Sequence, residues 1–424
     1  MAIVRLASEN PALSFVIKKN PHGGMALRSV RKGVACGWYT DEQTYNIFFK
    51  DGENDISFKQ NHNEYFEYLN LSRYNTPLFP LNAVNEFFSH LLKKRDERDE
   101  PGYRHAFSVN MVYMKGERYL EIFSRHFPLF KIEAVPLCKN NYRITIRTEE
   151  SLQQLMQFSV LFFLFLAMMG KEHLDVPDEL AGKYIDIMNE LESPYFIRYL
   201  FVKNVIKEKR QFKKLRGALE QSSRYEMKFQ YGNTAQQRKE AIEYLLPFTQ
   251  EIVDVGCGEG AYAIPFAQKL KEHTYHAIDI DEEMLKQVRK KVKRKGIHNV
   301  DTYASLASFK DSYRQQKVNV LVTEVVEHMQ VTEAEALIQE ILQHINFDQM
   351  IITTPNREFN SYYELEGFRH DDHKWEMTTD EFEQWIRKLA KGQQADVSFV
   401  PIGDCVNGIY TTQCAVIKKA GAAG

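Results

Sequence analysis

The C-terminal half of this chain predicts a doubly wound α/β sheet, preceded by an α+β N-terminal module. Two observations carry the first prediction. Apolar strands alternate with amphipathic helices from about residue 236 onward, and one strand runs directly into a glycine-rich turn that opens a helix. The second rests on residues 1–150, which are rich in aromatics and turn signals, followed by a helical pattern to about residue 220.

A chain of 424 residues has room for two or three domains. Hydrophobic residues make up 44% and charged residues 26%, which excludes a wholly disordered or fibrous chain. The net charge of −2 means that any nucleic-acid site must be a local patch. Cys36, Cys138, Cys257, Cys405 and Cys414 are scattered without a CxxC pair, so neither a disulfide framework nor a thiolate zinc site is expected. The opening MAIVRLASEN lacks the apolar stretch of a signal peptide, and a reducing, cytoplasmic setting is expected. FSVLFFLFLAMMG, residues 158–170, is as apolar as a membrane span but short of the ~20 residues one needs. It reads as a buried core helix, so no membrane span is expected.

In the N-terminal module, NPHGG near Asn20 and KDGEND from Lys50 mark turns. YLEIF at 119–123 and YRITI at 142–146 alternate as strands do. KNVIKEKRQFKKLR, residues 203–216, reads either as a solvated helix face or as a track for a phosphate backbone. Polar residues 221–235 place a boundary near 218–230, giving domains 1–220 and 221–424. Beyond it come a helix at 236–246, strands at 251–255 and 275–279, and a helix at 282–294. Strands at 318–323 and 349–354 flank a helix at 332–344, and KKAGAAG forms a frayed tail.

The turn after the first of these strands is Gly256-Cys-Gly258-Glu-Gly260, where glycines let the backbone approach a ligand. Its GxGxG spacing, with Asp254 just before it, suits a ligand with a positive centre and an amino-acid moiety better than a pyrophosphate. Asp279 ends the next strand, where a carboxylate accepts from both hydroxyls of a ribose. Cys257 has no neighbouring base to make it a nucleophile.

Glu324-Val-Val-Glu327-His328 follows the strand VNVLVT. In a helix, positions i, i+3 and i+4 share a face, so two carboxylates and an imidazole converge. That donor set suits Mg²⁺, Mn²⁺ or Fe²⁺. The bland alternative is that the acids cap a helix start. Arg369-His-Asp-Asp-His373 offers further donors: His373 completes a two-Glu, two-His site, and His370 is a ligand, a base or an RNA contact. Thr354-Pro355-Asn356 shapes a substrate edge or is only a turn. Trp375 and Phe368 pack in the core or stack on a base.

VDVGCGEG and the following AID resemble the class I (Rossmann-like) S-adenosylmethionine-dependent methyltransferases, whose sheet carries helices on both faces. The resemblance implies that Asp254, Gly256 and Gly258 lie along the methionine part of S-adenosylmethionine. Asp279 then holds the ribose, with Ser305 and Leu306 near the adenine. TEVVEHM, TTPNREFN and FRHDDHKWEMTTDEFEQW resemble the 3′-terminal RNA ribose 2′-O-methyltransferases over roughly residues 230–405. That family's metal motif falls on Glu324, Glu327, His328 and His373, implying Mg²⁺ or Mn²⁺, with His328 or His370 assisting proton removal. Met377 departs from the family, which usually has a second aromatic there. NPALSFVIKKNP and ESPYFIRYL resemble the bacterial members more loosely. By that resemblance the N-terminal module docks an RNA-repair polynucleotide kinase–phosphatase–ligase.

The expected activity is therefore metal-dependent methylation of the terminal ribose at an RNA 3′ end. A small-molecule O-methyltransferase and an adaptor that recruits and activates a ligase are the competing readings.

Overall fold

The computed structural model describes residues 2–30, 33–51, 74–170 and 172–419. The turn expected from Lys50 and the tail expected at the C-terminus run beyond them. The chain divides into two compact units, Met1–Arg224 and Tyr225–Gly424.

Unit one is built on a seven-stranded antiparallel sheet. Its strands are β1 (Ala2–Ser8), β2 (Ala26–Val30), β3 (Gly33–Asp41), β4 (Thr44–Asp51), β5 (His105–Tyr113), β6 (Lys131–Cys138) and β7 (Asn141–Thr148), in the order β2-β3-β4-β1-β5-β7-β6. YRITI lies in β7 as its alternation predicts. YLEIF does not form a strand: Arg118–His126 is a helix. Helical spacing brings Ile122 and Phe123 to the core, where the Phe123 ring meets Phe127, Phe158, Phe162 and Phe165 at centroid separations of 5.0–5.8 Å. That aromatic cluster outweighs a local alternation of two strand-forming residues.

The greasy run belongs to helix Leu152–Met169, buried on nearly every side. Its start is closed twice. Ser151 and Gln154 form a reciprocal capping box, and the Asp99 carboxylate accepts from the Leu152 and Gln153 amides at 2.7 and 2.9 Å. Helices Leu78–Phe87, Asp178–Glu190 and Tyr195–Val205 pack against it. The 203–216 stretch is split between the last of these and helix Lys209–Leu219, which turns Phe212, Leu215 and Leu219 inward. Lys214 pairs with Asp178 at 3.0 Å and Arg216 with Glu220 at 2.7 Å. In ESPYFIRYL, Arg198 is wholly buried. Its guanidinium donates to the carbonyls of Met188, Ser193 and Leu219 and to Asn189 Oδ1 at 2.6–3.0 Å.

Unit two is a mixed sheet of β8 (Met227–Lys228), β9 (Glu251–Val255), β10 (Tyr275–Ile278), β11 (Val300–Tyr303), β12 (Val318–Thr323), β13 (Phe347–Pro355), β14 (Ala395–Phe399), β15 (Ile402–Val406) and β16 (Ile409–Lys419). The order is β11-β10-β9-β12-β13-β16-β15-β8, with β14 paired to β16. β9 to β13 run parallel and β16 is antiparallel. Two apolar clusters flank the sheet, one around Phe309, Ile338 and Trp385, the other around Phe266, Leu285 and Ile242. This is the class I methyltransferase fold, with an added antiparallel margin. Parallel strands put Gly256, Asp279, Glu324 and Asn356 at one sheet edge, where ligands bind in such folds.

Candidate functional site

The glycine turn is held by Asp279. Its Oδ2 accepts from the Gly258 amide at 2.7 Å and its Oδ1 from the Asp281 amide at 2.9 Å. Gly256, Gly258 and Gly260 all have positive φ, and helix Ala263–Leu270 follows. At Gly256 a β-carbon would lie 2.4 Å from Val325 Cγ2, so the turn rests directly on the Glu324–His328 segment. Asp254 is wholly buried. Tyr275 donates its hydroxyl to Asp254 Oδ2 at 2.6 Å, while Oδ1 has no partner. Burial pushes the Asp254 carboxyl up to about 7, against the Tyr275 hydrogen bond. Burial likewise pushes the Cys257 thiol up, consistent with an inert cysteine. Ser305 caps helix Leu306–Ser312 through a capping box with Ser308, and Leu306 is buried at its start.

The expectation of a single helical face for Glu324, Glu327 and His328 is corrected by the backbone. Glu324 is left-handed, with φ +55°, and a short 3₁₀ turn begins only at Val326. Glu327 and His328 therefore stay together while Glu324 swings aside. Glu324 Oε2 pairs with Arg238 Nη1 at 2.8 Å, and Oε1 accepts from Thr353 Oγ1 at 3.1 Å. Val325, the residue just ahead of the 3₁₀ turn, makes no side-chain cap.

One donor atom each from Glu327, His328 and His373 lies within 4.8 Å of the others. Glu327 is fully buried: Oε2 accepts from Thr354 Oγ1 at 3.1 Å, but Oε1 has no partner. Burial first, and the Glu324 charge second, push its carboxyl well above the usual range. A buried, half-satisfied carboxylate facing two imidazoles is a donor set that a hard divalent cation fits. His370 stays outside this group. It is exposed, its ring 5.2 Å from that of His373.

The same loop settles the aromatic alternatives in part. Trp375 is in the core, donating Nε1–H to the Met329 carbonyl and packing edge-on against Trp385, with Met377 beside this cluster. Phe368 is exposed. Thr354 is a donor to Glu327, and Asn356 caps the 3₁₀ helix Arg357–Tyr363.

Several contributing residues gave no sequence expectation. Arg238 lies on the otherwise polar helix Thr234–Leu245, where nothing local marks it; Tyr262 accepts from its Nε at 3.1 Å. Tyr275 sits in an apolar strand. Glu376 stands three residues after His373, a spacing that could have singled it out.

A model of the Hen1 N-terminal domain matches residues 3–224, and a model of a methyltransferase domain matches residues 252–347. The small RNA 2′-O-methyltransferase of Arabidopsis thaliana is 26% identical over 213 residues, covering 43% of this chain and 22% of that protein. Its namesake in Xenopus tropicalis is 26% identical over 186 residues, covering 40% of this chain and 50% of that protein. The chain thus spans half or less of these relatives' lengths. A chain in the structure of the Pnkp1/Rnl/Hen1 RNA repair complex is 28% identical with a TM-score of 0.81, covering 98% of this chain and 100% of that one. A second Pnkp1/Rnl/Hen1 structure has a chain 26% identical with a TM-score of 0.78, covering 99% and 100%.

Proposed function

The chain belongs to the family defined by the Hen1 N-terminal domain, and from that premise we propose that it transfers a methyl group from S-adenosylmethionine to the 2′-OH of the 3′-terminal ribose of RNA. The observation that carries this reading is the junction at Gly256, which seats the glycine turn against Val325, between Glu324 and the converging Glu327, His328 and His373.

In this reading Asp254, Gly256 and Gly258 line the methionine part of the donor. The unpartnered Asp254 Oδ1 is available to its positive charge. Both Asp279 oxygens accept backbone amides, yet a carboxylate oxygen has a second lone pair, leaving capacity for ribose hydroxyls. Ser305 and Leu306 border the adenine.

Glu327, His328 and His373 would hold Mg²⁺ or Mn²⁺, with Glu324 as the fourth ligand once it exchanges its ion pair with Arg238. A divalent cation bound there supplies the Lewis acidity that lowers the pKa of a ribose hydroxyl. With His328 committed to the cation, the exposed His370, outside the ligand group, would take up the 2′-OH proton in this reading. Unit one docks the polynucleotide kinase–phosphatase–ligase of RNA repair, and the acceptor is an RNA end with both vicinal hydroxyls free.

The test is methyl transfer from labelled S-adenosylmethionine to an RNA oligonucleotide, with and without Mn²⁺. Matched oligonucleotides ending in 2′-deoxy, 3′-deoxy or 3′-phosphate run alongside. Transfer requiring Mn²⁺ and both hydroxyls is expected; equal transfer to the 3′-deoxy end overturns the reading.

A further inference from the structure

Both histidines of the cluster engage a carboxylate through the same nitrogen. His328 Nδ1 lies 3.1 Å from Asp372 Oδ2, and His373 Nδ1 lies 2.6 Å from Glu376 Oε1. The two carboxylates differ in kind. Asp372 is 69% exposed, whereas the Glu376 side chain is wholly buried.

Glu376 is also fixed from behind. Its Oε1 accepts from the Arg369 amide at 2.7 Å, and its Oε2 accepts from Asn360 Nδ2. Asn360 cannot turn over, because its Oδ1 accepts from Arg369 Nε and Nη2 at 3.3 and 3.2 Å. Arg369 is held in turn by the carbonyls of Thr411 and Asn356 at 2.8 and 3.1 Å, and it lies over the Tyr363 ring at 5.3 Å. The chain Arg369–Asn360–Glu376–His373 therefore ties one imidazole to the end of β13 and to β16.

We propose that Glu376 is the positioning residue that fixes His373 as the Nδ1–H tautomer, so that Nε2 presents its lone pair to the cation. The role rests on the divalent-cation reading above. The donors already aimed at both Glu376 oxygens leave the carboxylate only an acceptor's part toward His373. A neutral imidazole bears one N–H and one lone pair, so the nitrogen facing an acceptor carries the proton and the other is free to ligate. Asp372 stands 3.1 Å from His328 Nδ1 on the solvent side, without the buried framework that holds Glu376, so it restrains that ring less.

Glu376→Gln keeps the shape and removes the logic. Its amide NH₂ must face either the Asn360 NH₂ or the His373 Nδ1–H, and both pairings oppose two donors. The experiment uses the full chain at pH 8.5 with ¹⁵N-labelled histidine. Long-range ¹H–¹⁵N correlation reads the His373 tautomer, and electron paramagnetic resonance titrates free Mn²⁺.

Wild type is expected in the Nδ1–H form. E376Q is expected to lose that uniformity and to bind Mn²⁺ more weakly by roughly 10–100-fold. Its affinity for S-adenosylmethionine is expected to stay unchanged, and D372N to weaken Mn²⁺ less. Wild-type His373 in the Nε2–H form overturns the proposal without any variant, as does an E376Q protein with unchanged Mn²⁺ affinity. A wild-type chain that takes up no Mn²⁺ overturns the cation reading and this role with it, so the two failures are told apart.

Discussion

Val325 occupies the space that a side chain on Gly256 would need, its Cγ2 lying 2.4 Å from where that β-carbon would sit. Two motifs, at Gly256 and Val325, 69 positions apart in sequence, are thereby packed together.

Gly256→Ala must fail on two counts, the clash with Val325 and the φ of +75°. A loss of about 2–3 kcal/mol is expected from strain and overpacking. Urea unfolding measures it, and isothermal titration should show weakened S-adenosylmethionine binding in the fraction that remains folded.

Arg238 is the cation paired with Glu324, and its charge also reaches Glu327. Arg238→Met leaves two neighbouring acids without it. In the absence of divalent cations the variant should be less stable by about 2–3 kcal/mol, somewhat below the figure for a fully buried pair. Repeating the urea titration with Mn²⁺ should recover part of that loss, and no recovery would count against a cation between these acids.

Asp254 titrates near 7 when folded, well above the unfolded value of 3.8. Between those values the folded protein holds a proton that the unfolded chain releases, so stability of the ligand-free protein falls as pH rises from about 4 to 7. Asp254→Asn retains an acceptor for Tyr275 and removes the charge. Its melting temperature should exceed that of wild type at pH 8 and match it at pH 4, while S-adenosylmethionine binding is reduced.

The opposite slope belongs to unit one. Burial lowers the His105 pKa to about 4, with its Nδ1 2.8 Å from Ser8 Oγ. The unfolded chain takes up this proton below about 6.5, so the histidine costs stability as pH falls from there toward 4. His105→Asn should flatten that part of the pH–melting profile, which differential scanning calorimetry would read.

The parallel core was legible because β9, β10, β12 and β13 are short apolar runs ending in turns at the carboxyl edge, as in VDVGCGEG and VNVLVTE. By contrast β8, the half-polar β11 (VDTY) and the antiparallel margin β14–β16 gave no such signal. The N-terminal half was less so. In RYLEIFSRH, five residues alternate while nine follow a helical period, and only the phenylalanines brought in by helix Leu152–Met169 decide between them. At the site, Glu327 and His328 were legible as neighbours in sequence, and His373 as part of a histidine cluster. The displacement of Glu324 was not, because it depends on one left-handed residue ahead of the 3₁₀ turn. Arg238 acts through a partner that only the fold supplies. Glu376 lies at a visible i+3 spacing from His373 but is fixed by Arg369 and Asn360, which sequence alone does not pair with it.

The helix Leu152–Met169 has a consequence for how the protein is made. Two of the helices that cover it, Asp178–Glu190 and Tyr195–Val205, come later in the chain. At about 5–20 residues per second, the ~36 residues from Met169 to Val205 take roughly 2–7 s to synthesise. For that interval the helix has only the part of its cover made before it, the helix Leu78–Phe87 and the sheet, and its remaining apolar faces await chain still to be synthesised.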